Sequence, residues 1–275
     1  MPKSVLLCPP TYFDVIDMKN PYMLGDYPVD KSKAREQWEN LRAALESAGV
    51  KVKTIDPLPG LEDMVFSANQ VFVGHQEKIG KFIVPSRMRH ASRQQEVAAY
   101  VEWFRKHGYE VIQIDFGDEY LEGGGDLIWH PGVARVYAGF GFRSTLGGIQ
   151  RFAKAMQRLG IKVVPLELSD PSFYHLDTCF CPLNHEAVLV YPAAFAKDSL
   201  AVLEGYWHRL HEIAESEALG FMANGIVAGN TYLTPRLTPS LEKILERENL
   251  EPVIVDTSEF EKSGGSCYCM KNFLE

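Results

Sequence analysis

Arg93-Gln94-Gln95-Glu96-Val97-Ala98-Ala99-Tyr100-Val101-Glu102-Trp103-Phe104-Arg105-Lys106-His107-Gly108-Tyr109-Glu110-Val111-Ile112-Gln113-Ile114 reads as a helix, a stop and a strand. Val97, Tyr100, Val101 and Phe104 recur at three- and four-residue spacing and so share one helical face, Gly108 ends the run, and the β-branched stretch after it suits a strand. The same order appears earlier as residues 33–47, Gly49 and 50–55, and later as 146–159, Gly160 and 161–166. A helix over about 199–216 leads into Gly220-Phe221-Met222, and another over 240–248 leads into Val253-Ile254-Val255.

Hairpin-like strand pairs lie between these helices: 64–73 with 82–84, 127–129 with 133–138, 178–183 with 187–191, and 221–228 with 231–233. One hairpin, one helix and one strand recur about every 50 to 60 residues, a period that belongs to arrays and propellers. Five such units nearly exhaust the 275 residues, and no Pro/Gly/Ser-rich linker or low-complexity stretch separates them, which predicts one α/β domain over residues 1–275.

Composition limits the function classes. An apolar content of 46% with 11% aromatics is that of a folded chain with a large core, and no apolar run reaches the roughly 18 residues of a membrane span. The formal charge of −8 argues against nucleic acid and against an anionic membrane surface as partners. The start, Met1-Pro2-Lys3-Ser4-Val5, lacks the apolar stretch of a signal peptide, and five cysteines, an odd number, suit reduced thiols, so the expected location is the cytoplasm. Homo-oligomerisation is left open.

Three dense motifs remain. Ser263-Gly264-Gly265-Ser266-Cys267-Tyr268-Cys269-Met270 places a thiol on a Gly-rich bend, His175-Leu176-Asp177 places a base candidate beside a carboxylate, and Glu122-Gly123-Gly124-Gly125-Asp126 brackets three glycines with acids. Each has a plainer reading: a small buried cysteine, a surface hydrogen-bonded pair, a phosphate-binding loop. Acids at both ends would repel a phosphate, and the strand-like Leu127-Ile128-Trp129 follows where a phosphate loop needs a helix. Together the three motifs supply what a cysteine-nucleophile hydrolase requires.

Their order and spacing resemble the pentein superfamily of guanidino-group-modifying enzymes, five-fold pseudosymmetric α/β propellers whose active site lies on the central axis. In the family's register, Ser-Gly-Gly, three residues, Cys, the match is Cys269, and Cys267 falls in the variable stretch. The resemblance implies Cys269 as nucleophile, His175 as general acid/base, Asp177 as a guanidinium-binding carboxylate, Glu122 as the partner that tunes His175, and Asp126 as a pocket-lining or loop-fixing residue. Phe66-Ser67-Ala68-Asn69 resembles the family's Phe-Thr-x-Asp, with Asn69 where most members carry the substrate-gripping Asp. The branch that carries Phe-Thr-Ala-Asn is that of the arginine dihydrolases, which take arginine to ornithine, carbon dioxide and two ammonia molecules.

Further stretches are similar to that branch: Cys8-Pro9-Pro10, Asn20-Pro21-Tyr22-Met23, residues 87–94, and Gly139-Phe140-Gly141-Phe142-Arg143-Ser144. An arginine fork binds a carboxylate through two hydrogen bonds, so Arg89 and Arg143 become the expected anchors of an amino acid's α-carboxylate, with Asn20 accepting from its ammonium and Arg87 and Arg93 left solvated. A small guanidino compound is the implied substrate, with no cofactor and no metal. A metal-binding alternative rests on Cys179-Phe180-Cys181, Cys267-Tyr268-Cys269, His175 and His185. Both cysteine pairs have one intervening residue where structural zinc sites take roughly two to four. A deiminase, a dimethylarginine hydrolase and a non-catalytic arginine- or metal-binding scaffold are the competing readings.

Overall fold

The computed structural model describes residues 3–25 and 28–274. Five three-stranded sheets follow one another along the chain, each with an antiparallel pair and a third strand parallel to the middle one. Val71–Gln76 pairs antiparallel with Gly80–Pro85, which pairs parallel with Glu110–Val111; Leu127–Trp129, Arg135–Phe140 and Lys162–Glu167 repeat the arrangement. Phe180–Pro182, Ala187–Val190 and Arg209–Glu212 form the fourth unit, and Ile226–Ala228, Thr231–Thr234 and Glu251–Ile254 the fifth. A parallel pair needs a long crossover, and each unit supplies it with a helix.

The crossover helices are written plainly in the sequence. Lys31–Ser47 begins on Asp30, whose carboxylate accepts from Lys33 N, and buries Ala34, Trp38, Leu41 and Leu45 at spacings of four, three and four. Leu146–Gln157 begins on Thr145 and buries Ile149, Phe152 and Met156, and Pro239–Arg247 begins on Thr238 with Pro239 in the first turn. Gly49, Gly108 and Gly160 follow three of the helices at φ of 81°, 81° and 73°, a left-handed turn that costs an L side chain roughly 1–2 kcal/mol.

Three expected elements are corrected. The long helix over 199–216 is instead Lys197–Glu204, the strand Arg209–Glu212 and the short helix Glu215–Leu219. Gly205 ends the first piece, Trp207 turns into the core, and Arg209 and His211 reach the buried Glu248 carboxylate, so tertiary pairing overrides local helical preference. The strand expected from 64 starts only at Val71, because Glu62–Val65 is a 3₁₀ turn. The strand expected from 221 starts at Ile226, because Phe221 sits at φ 58° in a turn.

The first sheet is completed from the far end of the chain. Lys271–Phe273 pairs antiparallel with Ser4–Leu7, which pairs parallel with Lys51–Thr54. Each unit thus has a turn or a short helix just ahead of its first strand, carrying residues 69, 126, 177, 224 and 269. Equivalent segments of a repeated unit lie at equivalent places, so the repeat itself gathers these five positions. Leu274, 2% exposed and packed with Leu6, Cys8 and Tyr109, anchors the closing strand. Leu274→Ala is expected to cost about 2–5 kcal/mol, seen as a melting temperature lowered by roughly 5–15 °C.

Candidate active site

Backbone hydrogen bonds stitch the motif loops together before any side chain acts. Gly124 N donates to Ala68 O at 2.7 Å, and Ala68 N donates to Cys269 O at 3.1 Å. Tyr268 N donates to Asn224 O at 2.9 Å. The acid-bracketed glycines owe their type to this crowding: a Cβ on Gly125 would stand 2.2 Å from Asn69 Nδ2 and 3.3 Å from the His175 ring. Asp126 stays outside the cavity and fixes the loops around it. One of its oxygens accepts from Leu176 N at 3.1 Å, the other from Ser144 Oγ at 2.6 Å.

Cys269, His175, Asn69, Arg143 and Asn20 line one narrow cavity. His175 and Asp177 do not share a strand face, since Leu176–Thr178 is a 3₁₀ turn. The turn sends the two side chains different ways: His175 Nε2 lies 2.7 Å from Glu122 Oε2, and Asp177 Oδ2 accepts from the Cys269 thiol at 3.2 Å. Glu122 is fully buried and also accepts from Arg143 Nη1 at 3.0 Å and from Arg89 N at 2.9 Å. Burial alone would raise its pKa; the Arg143 guanidinium and His175 reverse that and hold the carboxyl well below its usual range.

Two polar atoms of the site have no hydrogen-bond partner among the described residues, Asn69 Nδ2 and Asp177 Oδ1. The orientation of the Asn69 amide is set from behind, because Arg93 Nη1, a donor only, holds Asn69 Oδ1 at 3.2 Å. Arg93 is therefore no solvated arginine: it is 4% exposed, lines the cavity and also pairs with Glu96 at 3.1 Å. Arg89 is placed otherwise than expected. Its side chain is exposed over the Tyr120 ring and does not line the cavity, so what it brings to the site is its backbone N–H. Arg143 stacks on Tyr174 at 4.7 Å from the ring centroid and donates to Lys19 O at 3.0 Å. Asn20 donates to Ser263 O at 2.9 Å and caps Tyr22 N at 3.0 Å.

Asp63, Lys19 and Asn224 were not singled out in the sequence. Asp63 and Lys19 line the cavity and pair with each other at 3.1 Å; the 3₁₀ turn that presents Asp63 has no period to betray it. Cys267 is buried in the core, where burial pushes its thiol up to about 12, and Cys179 and Cys181 donate to backbone carbonyls. Among the described residues no three His, Cys, Asp or Glu side chains converge as a metal site would require.

Burial pushes the Asp177 carboxyl up to about 7 and that of Asp126 to about 6. A folded-state pKa above the unfolded 3.8 means that the native state holds the extra proton, so this contribution to stability is present at low pH and lost as pH rises through the folded value. Glu122 has the opposite sign but acts only below its unfolded 4.5. The contribution of these two carboxyls should therefore be lost between about pH 4.5 and 7, lowering the melting temperature of the ligand-free protein across that range, and Asp177→Asn should remove the upper part of that slope.

Residues 17–273 match the family described as N,N dimethylarginine dimethylhydrolase, eukaryotic. An uncharacterised protein of Caenorhabditis elegans is 35% identical over 269 residues, 98% of this chain and 92% of its own. The bifunctional arginine dihydrolase/ornithine cyclodeaminase AgrE of Nostoc is 34% identical over 276 residues, 96% of this chain but 37% of that enzyme, so this chain spans little more than a third of it. Among solved structures, the N-terminal domain of ArgZ, an arginine dihydrolase from cyanobacteria, superposes with a TM-score of 0.92 at 31% identity, covering 98% of this chain and 97% of that one, as a cysteine-to-serine variant bound to substrate. An asparagine-to-serine variant of the same domain carries a covalently bound reaction intermediate. With five repeated α/β units, a buried thiol and histidine on one cavity, and a family match over nearly its whole length, the chain belongs to the N,N-dimethylarginine dimethylhydrolase family of the pentein superfamily.

Proposed function

We propose that this chain, as a single catalytic unit over residues 1–275, hydrolyses the guanidino group of arginine through a covalent intermediate on Cys269 and continues to ornithine, carbon dioxide and two ammonia. The similarity to the arginine dihydrolase domains of ArgZ and AgrE supports the substrate class. The five free cysteines suit a reducing cytoplasm.

In this reading the Cys269 thiol passes its proton to His175, and the thiolate so formed attacks the guanidinium carbon while Asp177 Oδ1 accepts from the planar head. Burial pushes that carboxyl up to about 7, and the bound cation favours its ionised form. His175, oriented by Glu122, protonates the departing ammonia and then takes a proton from water, whose attack releases Cys269 and leaves the ureido group of citrulline. Arg143 holds the α-carboxylate. Arg89, outside the cavity lining, is given no substrate contact.

The orientation of Asn69 carries the two-stage reading. With its oxygen taken by Arg93, Asn69 presents a donor to the cavity. A donor suits the neutral ureido oxygen of citrulline, whereas a carboxylate there would face it with no proton between them. A second attack by Cys269 on the ureido carbon, again with loss of ammonia, leaves a group that water cleaves to carbon dioxide and ornithine. The family description favours a second substrate, dimethylarginine, whose hydrolysis would release dimethylamine.

Incubation with arginine should give ornithine and two ammonia per arginine, and supplied citrulline should be consumed. Accumulation of citrulline that is never consumed would replace the dihydrolase with a deiminase, and turnover of dimethylarginine alone would favour the second substrate. Cys269→Ser should abolish turnover while Cys267→Ser leaves it largely intact; the reverse would shift the nucleophile by two residues. Asn69→Asp should slow citrulline consumption by about 10- to 100-fold relative to the first stage, the effect of leaving a buried polar pair mismatched.

A further inference from the structure

Asn69, Asp177 and Cys269 each precede the first strand of their unit and serve the site directly, and Asp126, at the same place in another unit, fixes the segments around it. The loop of the fifth unit carries Asn224, wholly buried and two residues ahead of Ile226–Ala228. Its Oδ1 accepts from the backbone N–H groups of Ser266 at 3.2 Å and Cys269 at 3.4 Å. Its Nδ2 donates to Asp177 O at 2.8 Å and to the sulfur of Cys269 at 3.2 Å. Two donor-only partners on one side and a carbonyl on the other leave the amide a single orientation. The turn that aims it is unusual, since Phe221, 2% exposed, is held at φ 58° and receives Asn224 N on its carbonyl.

We propose that Asn224 is a catalytic residue of this site, whose amide N–H holds the Cys269 thiolate when it forms and when it departs. The proposal rests on the reading of Cys269 as the nucleophile. A thiolate here is disfavoured by its surroundings: burial pushes the thiol well above its ordinary value, and the charge of Asp177 adds to that. Among the described residues, the titratable and charged groups that face the sulfur or share its cavity are Asp177, His175 and Tyr174 from the 174–177 turn, Tyr22 and Lys19 from the N-terminal loop, Asp63, Arg93 and Arg143 across the cavity, and Tyr268 and Lys271 from its own segment. Lys271 Nζ is seated on the Tyr268 ring, 2.8 Å from its centroid, and burial holds its pKa well below the ordinary value. Among the described residues Asn224 is the one side chain that donates to the sulfur within hydrogen-bonding distance. A donor fixed in place before charge develops is what stabilises an anion in a site closed to water.

The test reads the thiol without substrate. Wild type, Asn224→Asp and Asn224→Ala are alkylated with iodoacetamide across a pH series, the rate at Cys269 is followed by peptide mass, and melting temperatures establish which variants are folded. Asn224→Asp retains the acceptor for the loop but puts a carboxylate where the donor stood, so Asn224→Ala, which removes the donor without adding charge, is the variant whose midpoint decides. The midpoint pH for alkylation should rise by about one to two units in the folded variants, the loss of one hydrogen bond to a charged group. With arginine, kcat should fall about 10- to 100-fold while KM changes little. An unchanged midpoint in a folded variant, or loss of the folded state in both, assigns Asn224 to holding the loop and overturns the proposal. Full turnover by Cys269→Ser would instead remove the reading on which it rests.

Discussion

A carboxylate with no access to water, Glu122, joins His175, Arg143 and the backbone of Arg89. A buried charge must be paired or it costs several kcal/mol, so three separate segments have to arrive in register before this one is satisfied. Arg143 extends the requirement to the N-terminal loop through Lys19 O and to Tyr174 through its ring face. The position of His175 at the cavity thus follows from the electrostatic demand of a buried carboxylate.

The repeat makes that arrangement affordable. Every unit returns its chain so that the loop ahead of its first strand faces the same region, and three of those loops are joined by the backbone bonds of Gly124, Ala68 and Cys269. Preformed bonds of this kind leave little to order when a substrate binds, which is where a loop-built site otherwise loses affinity. Asn69 Nδ2 and Asp177 Oδ1 are the polar atoms of this region left without a partner among the described residues.

The sequence announced what is local. Helical spacing with a cap at one end and glycine at the other is legible in Lys31–Ser47 and Leu146–Gln157, and Glu122, His175 and Cys269 stand in dense motifs. What is settled by distant partners was hidden. Arg209–Glu212 is a strand because Ala187–Val190 and Glu248 take it up, and residues 199–216 alone look helical. Lys271–Phe273 has no neighbour in the sequence to pair with; its partner is more than two hundred and sixty residues away, at Ser4–Leu7. Arg93 and Arg89 stand on one short segment with the same chemistry, and only packing decides that Arg93 turns inward to Asn69 while Arg89 lies outside. Asn224 sits in Met222-Ala223-Asn224-Gly225, a stretch with the look of a strand and no motif to mark it.

The proposed chemistry turns on a bond between Cys269 and the substrate carbon. Rapid acid quenching of the protein during turnover of arginine, followed by mass analysis of its peptides, observes that bond itself. That chemistry predicts an amidine adduct on the peptide that carries Cys269, with fragmentation placing it on Cys269 and not Cys267. Turnover with no adduct on any cysteine, or an adduct on another residue, would contradict it.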